Sequence, residues 1–152
     1  MGNAPQLTEL FLGWTGLTDS GAELLAEGLR LHTQLVVLYL PCNPVTSVGI
    51  AALLDAIGPN HALHCFNVAS CMGFDERAAK AVVRAATETG LGCLTLDGLN
   101  LADSLPAIIA MLNGQRTGLG RVSMIDCQLT EHHMEDLKSL RLCLQPDAIL
   151  AT

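Results

Sequence analysis

Six cysteines and five histidines are the residues of this 152-residue chain with the widest chemical range. His61, His64 and Cys65 crowd together in HALHC, and Cys93 follows Cys65 by 28 residues. Thiolate sulfur and imidazole nitrogen together make a zinc ligand set. The sequence pattern around them is not that of a zinc motif: there is no C-x-x-C pair, and His61 precedes the apolar run that begins at Leu63. Ordinary free thiols and a surface histidine are the expected state, with no metal and no cofactor. His132 and His133 in TEHHMEDL fall at a helix start, and HExxH is absent, so solvent exposure is expected there. No GxxxxGK[ST] or GxGxxG stretch cradles a phosphate. No Ser/His/Asp set sits on a strand-to-helix elbow. The reading is of a protein that is not an enzyme.

Composition narrows the function classes further. Half the residues are hydrophobic and 15% are charged, which is a folded composition. The formal net charge is −7. Nucleic acid demands a basic footprint, and anionic membranes do too. Neither is expected as a partner. No uninterrupted apolar stretch is long enough to span a bilayer. The opening MGNAPQLTEL has neither the basic nor the apolar region of a secretion signal. Myristoylation at Gly2 would want Ser or Thr at position 6, where Gln6 stands. Cysteines in a chain without a secretion signal read as reduced thiols, so the expected compartment is the cytoplasm. That compartment also disfavours a Cys65–Cys93 disulfide.

The elements that position these residues repeat. Leu7, Leu35, Leu63, Leu91 and Leu119 are 28 residues apart each time. Three residues after them stand Leu10, Leu38, Phe66, Leu94 and Val122. Five after stand Leu12, Leu40, Val68, Leu96 and Met124. Ten after stand Leu17, Val45, Gly73, Leu101 and Leu129. Nineteen of these twenty positions carry a large apolar residue, Gly73 being the exception. LxxLxL reads as a short strand with one buried face. A turn follows, then a stretch with apolar residues three and four apart: Ala22, Leu25, Ala26 and Leu29 in the first unit, and Ile50, Leu53, Leu54 and Ile57 in the second. These are one-sided helices. Asp19, Ser47, Asp75 and Asp103 stand where helix N-caps are expected. Gly58 with Pro59, and Gly90, are helix stops. One such unit cannot bury its apolar face alone; stacked units pair strands in parallel under a layer of helices.

At this point the chain resembles the leucine-rich repeat family, whose signature is LxxLxLxx(N/C/T)xL. The period, with LTDSGAELLAEGLR and VTSVGIAALLDAI after the strands, is similar to the ribonuclease-inhibitor-type subclass. The resemblance implies an α/β solenoid in a horseshoe arc, with about five βα repeats, strands concave and helices convex. Repeats fall near 7–34, 35–62, 63–90, 91–118 and 119–146 of a single domain over 1–152, and 147–152 begins a truncated repeat or forms a cap. The tail places Leu150 in phase with Val122. The family uses a polar residue eight positions into each repeat to bond the turn. Here that row is Thr15, Asn43, Cys71, Leu99 and Cys127. Leu99 cannot bond, so a looser or rearranged fourth turn is expected.

Residues between the buried leucines point to the strand face, where equal positions form rows about 4.8 Å apart. One row reads Phe11, Tyr39, Asn67, Thr95 and Ser123; others carry Trp14, Asp97 and Asp126. Three of the chain's five aromatics, Phe11, Trp14 and Tyr39, gather at the N-terminal end. Exposed aromatics anchor protein interfaces; these could equally shield an uncapped first repeat. Asp97 and Asp126 charge the C-terminal end. The expected function is a non-catalytic interaction module or scaffold that binds a protein partner through the concave face, at Phe11, Trp14, Tyr39, Asn67, Thr95, Asp97 and Asp126. A chain of this kind is expected to belong to a longer array or a larger protein. The resemblance also admits a GTPase-activating regulator of the Ran-activator type and a sensor fragment of a NOD-like immune receptor.

Overall fold

The computed structural model describes residues 7–59, 61–113, 117–140 and 149–150. Strands and helices alternate strictly. They are β1 (Glu9–Phe11), α1 (Asp19–Leu31), β2 (Val37–Tyr39), α2 (Ser47–Ala56), β3 (Cys65–Asn67), α3 (Glu76–Glu88), β4 (Cys93–Thr95), α4 (Leu105–Leu112), β5 (Arg121–Ser123), α5 (Glu131–Leu140) and β6 (Ile149–Leu150). The strands form one parallel sheet in sequence order. Short strands suffice because the backbones of β2 to β5 are bonded on both sides, by the unit before and the unit after.

The register follows the period. Leu10 pairs with Leu38, Leu38 with Phe66, Phe66 with Leu94, and Leu94 with Val122. The last strand breaks the rule by one residue: Ile149, not Leu150, lies opposite Val122. A strand does follow β5 as expected, but its phase is shifted, so Leu150 is opposite Ser123 instead.

The core lies between sheet and helices. Leu38, Phe66 and Leu94 from the strands are buried with Leu40, Val68 and Leu96 just beyond them. Ile50, Leu53 and Leu54 of α2 and Ala78, Ala81, Val82 and Ala85 of α3 close it from the other side. Alanines make up most of the buried face of α3. Where Gly73 interrupts the large apolar row, Phe74 one residue on is buried.

The helix starts are more varied than the sequence pattern predicts. Asp75 is a true N-cap, accepting from the Arg77 and Ala78 amides. Asp19 is not. It is the first residue of α1, behind an N-cap at Thr18, and its carboxylate reaches the next unit. There it accepts from the Thr46 amide at 2.8 Å, the Thr46 hydroxyl at 2.6 Å and the Gly49 amide at 3.0 Å. A side chain of α1 thus caps α2. Gly49 makes room for it, since a Cβ there would lie 2.6 Å from Asp19 Oδ1. The N-cap of α2 itself is Thr46, not Ser47, and the cap of α4 is Ser104, not Asp103.

The fourth turn is not loosened by Leu99. Each of the five turns places its equivalent residue in the left-handed region, at Trp14, Cys42, Ser70, Gly98 and Asp126, and the first and fifth turns add Gly16 and Gln128. Gly98 does so at φ 70° without a side-chain penalty. Leu99 turns into the core at 1% exposure, trading a polar bond for burial. The irregularity falls downstream instead: α4 is eight residues long and starts at Leu105, with Pro106 in its first turn.

Candidate functional site

Alternation along each strand aims one residue in two away from the core, and parallel pairing lines these residues up across the sheet. Phe11 and Tyr39 are such neighbours. Their rings stack with centroids 5.2 Å apart and planes 24° from parallel. Phe11 remains 63% exposed. Trp14 stands at the turn three residues beyond β1, with φ 58° and 82% exposure. A large aromatic side chain held in a left-handed turn and left in water is costly on both counts. Leu12 and Trp14 nevertheless keep the sheet bonding going, donating backbone N–H groups to Tyr39 and Pro41 carbonyls.

The polar candidates divide. Tyr39, Asn67 and Thr95 are half-buried in one row. Asn67 Oδ1 accepts from the Ala69 amide at 2.9 Å, which fixes the amide group. Asp97 is committed to the protein itself: one carboxylate oxygen accepts from the Ser123 hydroxyl at 2.6 Å and the Ile125 amide at 2.9 Å. It ties the fourth unit to the fifth. Asp126 is exposed at the fifth turn. Phe11 and Tyr39 are brought into contact, and Thr95 and Asn67 continue their row; Asp97 and Asp126 sit at the far end.

A second feature of this face follows the spacing in part: His64, Cys65 and Cys93 do come together, while the placement of the His64 ring was not foreseen. Cys65 and Cys93 are direct cross-strand partners on β3 and β4. His64, just before Cys65, directs its ring over Gly92, the equivalent position of the next unit. Its Nδ1 lies 3.2 Å from the Gly90 carbonyl oxygen. A Cβ at position 92 would stand 2.5 Å from Nε2 and 2.6 Å from Nδ1, inside the ring's space. The glycine next to the histidine in its row was the available signal. His64, Cys65 and Cys93 each offer one ligand atom, all within 4.8 Å of one another. Burial pushes the Cys65 thiol up from its ordinary value, and the neighbouring Cys93 adds to this.

His61 does not join them. It is 5% exposed, not a surface residue, and its Nδ1 accepts from the Leu63 amide at 3.0 Å. Among the described residues its Nε2 has no partner at full hydrogen-bond geometry. Burial lowers its pKa, opposed by the Leu29 and His32 carbonyls at the end of α1. His132 is exposed, while His133 Nδ1 accepts from the Thr130 amide and the Thr130 hydroxyl accepts from the His133 amide. The thiols of Cys71 and Cys127 donate to the Leu40 and Leu96 carbonyls, as a turn-bonding role requires, and burial raises both pKa values.

Among the described residues, no helix is long and apolar enough to cross a membrane. No family model matches the chain. Over 133 residues it is 28% identical to the mouse NACHT, LRR and PYD domains-containing protein 5. The match covers 86% of this chain and 11% of that protein, so the chain is similar to a small part of a much longer relative whose name includes an LRR region.

Proposed function

We propose that the chain is a leucine-rich repeat solenoid of the ribonuclease-inhibitor type that works as a non-catalytic protein-binding module in the cytoplasm. Its partner docks on the concave strand face. The observation that carries this reading is the stacked pair of Phe11 and half-buried Tyr39, with the 82% exposed Trp14 in the turn that follows β1. Solvent-facing aromatics gathered in one area are the groups that supply most of an interface's energy. Asn67 and Thr95 continue the contact row, and Asp126 borders its far end; Asp97, spent on Ser123 and Ile125, drops out of the contact set.

Partner capture from cytosolic extract tests this, comparing the parent with a Trp14→Ala/Tyr39→Ala double variant of confirmed fold. A protein retained by the parent and lost from the variant is the expected result. Equal capture by both would remove the aromatic face from the function and turn attention to the helical side.

A second reading is favoured by the similarity to the mouse protein. The chain would then be a recognition segment of a NOD-like receptor, its partner a sensed ligand and its effector domains elsewhere in a longer polypeptide. The full coding sequence decides between the two, since this reading requires a nucleotide-binding NACHT domain in the same polypeptide. For the GTPase-activating alternative no specific residue speaks.

A further inference from the structure

We infer that His64, Cys65 and Cys93 form a binding site for a thiophilic divalent metal ion of the zinc class, on the same strand face but independent of the aromatic patch. Three observations converge on it. First, the two thiols are held side by side by the β3–β4 pairing, so the backbone fixes their separation before any ion arrives. Second, the histidine ring is held by an outer partner. The Gly90 carbonyl can only accept, so the 3.2 Å contact makes Nδ1 the protonated nitrogen and leaves the Nε2 lone pair to be offered. A ring N–H donated to a carbonyl is how metal-binding histidines are usually oriented. Third, Gly92 leaves the space the ring occupies, which any other residue would fill.

The dimensions suit the ion. The three ligand atoms lie within 4.8 Å of one another. Ligands around tetrahedral zinc stand about 3.8 Å apart, given metal–sulfur bonds of about 2.3 Å. Small side-chain rotations close that gap. Two thiolates and one imidazole make a soft, mixed set that suits zinc over magnesium or calcium. Arg121 pairs with Cys93 from β5, but a divalent ion held by two thiolates is neutral and is not repelled. Binding releases two thiol protons to solvent. The fourth position opens to the strand face and takes water.

Cobalt(II) titration of the reduced 152-residue chain, followed by zinc displacement, tests the site. The expected result is one equivalent bound, with thiolate-to-cobalt charge transfer and the strong visible bands of a tetrahedral centre, both erased by zinc. Cys65→Ser and Cys93→Ser should each abolish the charge transfer. His64→Ala and Gly92→Ala should keep some charge transfer but weaken affinity at least about 10-fold, the second by displacing the ring without touching a ligand. Cys42→Ser should change nothing. Circular dichroism confirms the fold of each variant. Absence of charge transfer in the parent, its survival in Cys65→Ser or Cys93→Ser, or parental affinity in both His64→Ala and Gly92→Ala would overturn the assignment.

Discussion

A single amide, that of Asn43, holds two consecutive units together. It donates to the Leu12 carbonyl at 2.7 Å and the Leu40 carbonyl at 2.9 Å, and accepts from the Leu17 and Thr15 amides at 2.9 and 3.1 Å. Alanine there would leave buried backbone groups without partners, each costing about 1–3 kcal/mol. Asn43→Ala should therefore lose at least about 2 kcal/mol in urea unfolding with an unchanged m-value. Cys71→Ala, which removes one weak S–H bond in the equivalent place, should lose only about 1 kcal/mol. Equal losses would mean that water replaces the amide's bonds. Asp19 gives a pH-dependent counterpart. Burial pushes its pKa up, but the hydroxyl and amide of Thr46 and the Gly49 amide outweigh this and hold it below 3.8. A lowered folded value means that its contribution is complete above the unfolded pKa and disappears as pH falls through the folded one. Asp19→Ala should accordingly cost about 1–2 kcal/mol at neutral pH, and the gap to the parent should narrow as the pH falls well below 3.8. A gap that stays constant down to acid pH would show that the charge plays no part.

At the scale of elements, strand phase is the decisive property, because one residue separates core from solvent. Leu96 is 2% exposed beneath β4, and Thr95 is half-buried on the outer face. Leu96→Asp places an unpaired charge in the core and should cost at least about 4 kcal/mol, enough to unfold a marginal domain. Thr95→Asp should stay within about 0.5 kcal/mol. Thermal melts of the pair read the phase directly, and similar losses in both would refute it. The turns offer the opposite sign. Ser70 adopts φ 54° where Gly98 serves in the next unit. Ser70→Gly should raise stability by about 0.5–1 kcal/mol in the same melts, since a left-handed residue with a Cβ is strained. Strand positions, helix faces and register were readable in the sequence because the apolar spacing is local and repeats. The exchange of capping roles was not. Asp19 looks like the cap of its own helix until Gly49 and Thr46 are seen beside it, and those are neighbours only in three dimensions. Leu99 misled for a related reason: the turn's shape is set by Gly98, while the polar residue merely bonds it. The candidate site was legible as rows, since Phe11 and Tyr39 do meet, but Asp97 looked free until Ser123 and Ile125 closed on it. The tilt of His64 over Gly92 depends on side-chain packing across units, which spacing does not encode.

In the whole molecule, helices pack on the helices and strands on the strands of adjacent units, the inner ones on two neighbours and the outermost on one. Stability in such an arrangement is a sum of unit terms and nearest-neighbour interfaces. A unit flanked on both sides gains two interfaces; a unit at the edge of the described array gains one. The first unit carries the signature of that edge. Leu7 is 45% exposed, whereas its equivalents Leu35, Leu63, Leu91 and Leu119 are 2% exposed or less. Leu10 and Leu12 are half-buried where Leu38 and Leu40 are fully covered. Leu24 and Leu31 of α1, one face of that helix at a spacing of seven, are 69% and 86% exposed. Native-state hydrogen exchange should resolve this as a gradient. Amides of β1 and α1 should open at lower free energy than those of β2, β3 and α2, and the difference should be on the order of one interface, several kcal/mol. The Asp19 carboxylate crosses that boundary, so Asp19→Ala should widen the gradient at neutral pH while leaving β3 and α3 protection unchanged. Uniform protection across β1 to β4 would mean that the sheet opens only as a whole. It would also mean that Phe11 on β1 and Trp14 in the turn beyond it hold the edge closed, and Trp14→Ala with Phe11→Ala should then restore the gradient.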